Sequence, residues 1–419
     1  MTHVWGRYLR SQFFLDVATT FGTKLLLMAL GIVTSVITAK ALGPAGRGYF
    51  AVAMAISALG VQFGNLGLQI SNAYFAAKSR SLVGVLVVNS GVATASIGLF
   101  FGGITSAFIA FQPKFLPVRG WLLALAVGSI PIGLMYLLLQ NLLIGIQKIQ
   151  AFNAIELFNR GATALALVAL LGLRMVTAES AMAITQVIVL LSTLTILFRL
   201  RTIESIGWKF SGSVLRDSVL FGSRAFLVAM FGFIVLRSDL FLVKQMLGAE
   251  PAGYYSVASS MADMVFTLPT AMGTVLFPKL VSSPDSRRWT SAKRASSYMG
   301  VAMLLVVAAS VVLARPIVTL LYGHAFDPVV APFTILAVAM IFYGTNTPLS
   351  VYMASIGYPL VSILCWGLAA AINIVLNLRL IPAWGIMGAA ISSLVSYAMI
   401  FVLHLVIASR LPVLSGVRE

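Results

Sequence analysis

Charge and cysteine are what this chain has least of. Of its 419 residues only 9% are charged, one is cysteine (Cys365) and three are histidine. A single cysteine excludes an intrachain disulfide and a thiolate metal cluster. His3, His324 and His404 stand far apart with no ligand spacing, so neither a metal nor a cofactor is expected. Acidic residues number 11 against 28 Lys and Arg. No pair of carboxylates in an outer loop offers glycosyl-transfer chemistry, and no Gly-Lys-Ser/Thr phosphate loop is present to use ATP. The composition argues against an enzyme.

What is abundant is apolar sequence. Hydrophobic residues make up 60% of the chain, and mean hydropathy is +1.01. A soluble domain carries about 25% charge. No soluble chain could hide this much apolar surface, so the reading is an all-α integral membrane protein. The net charge of +17 would suggest nucleic acid in a soluble protein. Here it implies cationic loops facing anionic lipid headgroups, and no nucleic-acid partner. The N-terminal apolar run lacks a small-residue cleavage site and reads as a retained first helix.

A bilayer-crossing helix needs about 20 mostly apolar residues. Cutting at polar, Pro and Gly clusters predicts spans at 16–40, 48–71, 82–111, 121–146, 154–173, 178–198, 217–243, 253–276, 298–321, 331–350, 359–378 and 385–408. That is about 12 transmembrane helices. The longest intervening loop is the basic stretch 277–297.

The sequence also repeats itself. Phe21-Gly22-Thr23-Lys24 returns as Phe221-Gly222-Ser223-Arg224. Leu42-Gly43 and Gly48-Tyr49-Phe50-Ala51-Val52-Ala53 return as Leu247-Gly248 and Gly253-Tyr254-Tyr255-Ser256-Val257-Ala258, and Leu173-Arg174 as Leu378-Arg379. The offset is 200 for the first match and 205 for the others. Two halves with an even number of spans run the same way through the bilayer, related by a pseudo-two-fold axis along its normal, as in parallel-repeat transporters. The expected units are residues 1–205 and 206–419, two parallel-repeat six-helix bundles around a central cavity. With the N-terminus in the cytoplasm, inside segments hold 16 Lys and Arg and outside segments 8, the remaining four lying within spans. That asymmetry places both termini in the cytoplasm.

Several of these motifs resemble a known family. Ala41-Leu42-Gly43-Pro44-Ala45-Gly46-Arg47-Gly48-Tyr49 and Gly64-Asn65-Leu66-Gly67-Leu68 resemble polysaccharide flippases of the multidrug/oligosaccharidyl-lipid/polysaccharide exporter superfamily. Arg237-Ser238-Asp239-Leu240, Phe277-Pro278-Lys279-Leu280 and Trp384-Gly385-Ile386-Met387-Gly388 resemble further landmarks of the same proteins. The resemblance implies a cavity that opens alternately to either side of a prokaryotic cytoplasmic membrane. Its implied cargo is a polyprenyl-diphosphate-linked oligosaccharide. Membrane lipid, and glycan polymerase or export proteins, are its implied partners. A peptidoglycan-precursor (lipid II) flippase and a cation-coupled multidrug exporter of the same superfamily remain open beside it.

Moving a diphosphate and a sugar headgroup through hydrocarbon calls for charged and polar groups inside the bundle, where each isolated charge costs about 2.5–3.5 kcal/mol at mid-bilayer. Lys24 and Arg224 are repeat equivalents at one depth; they either line the cavity and converge on the diphosphate or snorkel to headgroups. Arg237 reaches the cavity or the outer headgroups. Asp239, two residues on, projects about 200° away and is read as the partner of a cation on another helix. Asp263, near mid-span, is a partner for an arginine or a site coupling flipping to proton or sodium entry. Glu156 and Arg160 have the spacing of an i,i+4 salt bridge. Gln62, Asn65 and Gln69 form a polar stripe suited to sugar hydroxyls or to joining helices, and Asn141, Asn346, Asn373 and Asn377 share that ambiguity.

Overall fold

A computed structural model describes residues 2–111, 118, 120–203 and 209–415, with side chains excepted at 2–21, 24, 108–109, 203, 285 and 411–415. Among the described residues the chain is helical and holds no strand. The first half comprises α1 (Thr2–Gly64), α2 (Leu68–Lys78), α3 (Val83–Phe111), α4 (Gly120–Gly145), α5 (Ile149–Gly172) and α6 (Ala178–Ile203). The second comprises α7 (Gly212–Leu247), α8 (Ala249–Val265), α9 (Thr267–Val281), α10 (Asp285–Val312), α11 (Ala314–Tyr322), α12 (Val330–Ser355) and α13 (Leu360–Ser415).

Ten described stretches are long and apolar enough to cross a membrane. Two of them turn back on themselves. α1 breaks at Gly43 (φ 65°, ψ 177°) and α13 at Gly385 (φ 60°, ψ −141°), so each supplies two limbs and the described residues make twelve crossings. The repeat explains the first break. At the equivalent position Gly248 separates α7 from α8 with φ 99° and ψ −172°. This left-handed extended geometry is cheap for glycine alone, and Pro44, which lacks an N–H, follows as the first residue of the new limb. The connection after α4 recurs as well. Lys148 N–H bonds Leu143 C=O and Gln147 N–H bonds Ile144 C=O, as Tyr358 bonds Met353 and Gly357 bonds Ala354 after α12. Both are paired 6→1 and 5→2 helix terminations.

The crossings form two six-helix bundles around a central cavity. α4 and α12, the fourth crossings of their halves, are the most deeply buried, with 44% of the apolar window buried in each. The boundary expected near residue 205 lies outside the described residues.

Two expectations need correction. The stretch 277–297 is not a loop: α9 runs to Val281, α10 starts at Asp285, and the basic residues ride on helix ends. Nor is 48–71 one helix. The chain breaks at Leu66 (φ 47°) and Gly67 (φ 82°) and restarts as α2.

Candidate functional site

Where the bundles face each other lies a cavity of about 700 Å³, within the roughly 300–1,000 Å³ typical of ligand pockets. Both limbs of α1, α5, α7, α8 and the start of α9 line it, with Thr185 from α6. Its wall is rich in hydroxyls, including Thr34, Ser35, Thr38, Thr163, Ser256 and Ser260. Thr34 donates to Gly31 C=O (2.9 Å), Thr38 to Thr34 C=O (2.8 Å), Ser256 to Gly253 C=O (2.8 Å) and Ser260 to Ser256 C=O (2.7 Å). Each proton is therefore spent inside its own helix; the oxygens keep acceptor capacity for a donor in the cavity, part of which Arg47 Nη1 takes at Thr38.

Among the described residues six ionisable side chains line the cavity, three of each sign: Arg47, Arg160 and Arg237 against Glu156, Asp239 and Asp263. Three consecutive residues of α7 make three different links. Arg237 Nη2 donates to Asp263 Oδ2 on α8 at 2.8 Å. Ser238 donates to Asn373 on α13 at 3.0 Å. Asp239, 3% exposed, accepts from Leu240 N–H, from Tyr255 on α8 and from Ser393 on α13. On the first bundle's side, Arg160 Nε lies 3.6 Å from Glu156 Oε1, while Tyr136 (2.9 Å) and Gln140 (2.8 Å) donate to the other carboxylate oxygen from α4.

Not every expected residue meets there. The Lys24 side chain lies outside the described residues. Arg224 is exposed and is not among the residues lining the cavity. The stripe Gln62, Asn65, Gln69 is interrupted by the break after Gly64. Buried Asn65 accepts from Gln69 N–H (2.9 Å) and caps the start of α2. Asn373 and Asn377 bond each other (3.0 Å) within the second bundle, and Asn346 bonds His404 (3.0 Å). Asn141 donates to Leu137 C=O (2.8 Å).

Sequence reasoning missed Arg47 by counting it among outer-loop charges. It is 7% exposed and lines the cavity. A signal was present: Gly43-Pro44 is a helix start, which puts Arg47 in a first turn rather than a loop.

A second hollow of about 500 Å³ adjoins the first. Leu25, Met28 and Ile32 of α1, Met261, Val265 and Leu268 of α8–α9, and Val306, Ile317 and Leu320 of α10–α11 make it almost wholly apolar. It shares Met28, Met264 and Thr267 with the polar cavity.

The bundles touch closely at both ends. Near Gly43, Gly48 and Gly253 meet across the interface; a Cβ on Gly48 would lie 1.8 Å from Ala249 O, and one on Gly253 1.8 Å from Pro44 O. Towards the opposite end, Gly67 meets Gly222, whose Cβ would lie 2.3 Å from Gly67 O. Its repeat equivalent Gly22 has open space beside it.

The two bundles and their cavity share their fold with solved transporters of the multidrug/oligosaccharidyl-lipid/polysaccharide exporter superfamily. An inward-facing multidrug resistance transporter of that superfamily's MATE family superposes with a TM-score of 0.75 at 13% identity, covering 96% of this chain and 99% of its own. The lipid II flippase MurJ, in an inward closed conformation, gives 0.77 at 15% identity, with 94% and 87% covered. An outward-facing MATE transporter gives 0.69 at 14% identity, with 97% and 96% covered. Within this fold the chain belongs to the polysaccharide biosynthesis protein family, whose model matches residues 37–331. A search of curated proteins finds no match.

Proposed function

We propose that this multi-pass membrane protein is a flippase that carries a polyprenyl-diphosphate-linked oligosaccharide from the inner to the outer leaflet of a prokaryotic cytoplasmic membrane by alternating access. One observation carries the reading: a hydroxyl-lined polar cavity and an almost wholly apolar groove share Met28, Met264 and Thr267 as a common wall. A cargo with a sugar head and a hydrocarbon tail matches both at once. The acceptor-rich wall suits donor hydroxyls, and the groove suits isoprene units without loss of hydrogen bonds. The excess of cationic residues in alternate inter-span segments supports a cytoplasmic location for both termini. The Gly48–Gly253 contact then closes the outer side, and exposed Arg224 belongs to the cytoplasmic mouth, where it attracts the diphosphate.

Export of cationic drugs is the rival reading, and it needs a free acid in the cavity. Glu156 and Asp263 are already paired with arginines, and Asp239 holds three donors. Lipid II shares the polyprenyl-diphosphate plan of the proposed cargo and differs in its headgroup.

Deletion of the gene in its host tests the proposal, with lipid-linked oligosaccharides extracted and their leaflet assigned by access to an external lectin. Repeat units trapped on the cytoplasmic leaflet are the expected outcome. Unchanged surface glycan together with new drug sensitivity would replace the cargo with a drug.

A further inference from the structure

Among the described residues the cavity's charges sort into two ion pairs, one carboxylate held by three donors, and one cation left over. That cation is Arg47. Its Nη1 donates to Thr38 Oγ1 at 2.7 Å and its guanidinium carbon lies 5.6 Å from the centroid of the Phe50 ring. Its Nε is buried with no hydrogen-bond partner. Among the described residues no carboxylate lies within ion-pair distance of it. Two penalties fall on this arrangement. A guanidinium withdrawn from water without a counter-ion is costly, and Arg47 sits in the first turn of the limb that starts at Pro44, where the helix dipole disfavours a cation. An anion delivered to the cavity removes both.

We propose that Arg47 is the phosphate-binding residue of the cavity, taking the diphosphate of a lipid-linked cargo on its guanidinium. This rests on the flippase reading above and names the group that holds the headgroup. The Nε–H and a neighbouring Nη–H form a planar fork that matches two phosphate oxygens, which an ammonium does not reproduce. Arg47 also adjoins Gly48, so phosphate binding acts directly beside the contact between the second limb of α1 and α8. The site recognises a diphosphate whether free or lipid-linked; the groove beyond Met28 and Met264 is what would favour the lipid-linked form.

The test titrates the full chain, in nanodiscs of phosphatidylcholine, with undecaprenyl diphosphate, undecaprenol and inorganic pyrophosphate, reading bound fractions by native mass spectrometry. The expected result is a roughly ten- to hundredfold loss of undecaprenyl diphosphate affinity in Arg47→Gln. A smaller loss is expected in Arg47→Lys, and none in Arg379→Gln. Undecaprenol binding should not respond to position 47. Pyrophosphate binding that depends on Arg47 shows that the phosphates suffice; dependence seen with the lipid alone shows that the tail is required, and either result supports the site. Should Arg47→Gln not fold, an Arg47→Lys variant with unchanged affinity reduces Arg47 to an interhelical clamp. Wild-type affinity in folded Arg47→Gln overturns the assignment alone, whereas a wild-type protein that binds neither phosphorylated ligand overturns the flippase reading with it.

Discussion

Gly48 and Gly253, repeat equivalents 205 positions apart in the sequence, lie against each other's backbones across the interface between the bundles. A Cβ on either would fall 1.8 Å from a carbonyl oxygen of the other limb. No rotamer change relieves such a clash, because the obstacle is backbone.

Gly48→Ala is therefore expected to part the second limb of α1 from α8 and shift the population away from this conformation. Spin labels at exposed Lys40 and Glu250, one on each bundle near the Gly43 end, report the separation. A longer, broader distance distribution is the expected outcome. A distribution matching that of the glycine protein would show that the contact is not a gate.

Gly222→Ala acts on the contact with Gly67, where the intruding atom would meet carbonyl oxygen at 2.3 Å. Transport should fall, while the Lys40–Glu250 distance should lengthen less than in Gly48→Ala. An equal lengthening would mean that the two contacts are not independent.

Asp239→Asn places an amide N–H₂ among groups that already donate: Leu240 N–H, Tyr255 and Ser393. One of them loses its acceptor, at about 1–3 kcal/mol. Asp263→Asn breaks a pair whose side chains are 30% and 42% exposed, and water compensates, so its cost is nearer 1 kcal/mol. Thermal melts in detergent should rank Asp239→Asn below Asp263→Asn, and the reverse order would show that the Asp239 network is not structural.

Asn65→Ala removes the side chain that caps α2, an expected cost of about 1 kcal/mol. Its transport should recover once the variant is assayed well below its melting temperature. Persistent loss there would return Asn65 to direct contact with cargo.

The membrane class, the number of crossings and the two-fold plan were legible from Gly43-Pro44, Gly248 and the apolar runs between them, because each depends on local chemistry. A run of apolar residues cannot stay in water, and a glycine at positive φ marks a break wherever it stands. The i,i+4 pair of Glu156 and Arg160 was readable for the same reason. The break at Leu66 and Gly67 was not, since a leucine at positive φ has no local signature and glycines just before it, Gly60 and Gly64, stay inside the helix. Nor could spacing alone join Arg237 to Asp263 or put Tyr255 and Ser393 on Asp239, because those contacts depend on how separate helices face each other.

Residue chemistry read along the chain thus establishes a bilayer-spanning protein of two matched halves. Which charges are paired, and which is not, depends on how the helices face each other. The tertiary structure pairs Arg160 and Arg237, leaves Arg224 exposed, and strands Arg47 beside the tightest interface contact. The physical reason is that hydropathy is a property of each segment, whereas the free energy of a buried charge depends on the few atoms within hydrogen-bond reach, and those come from other helices.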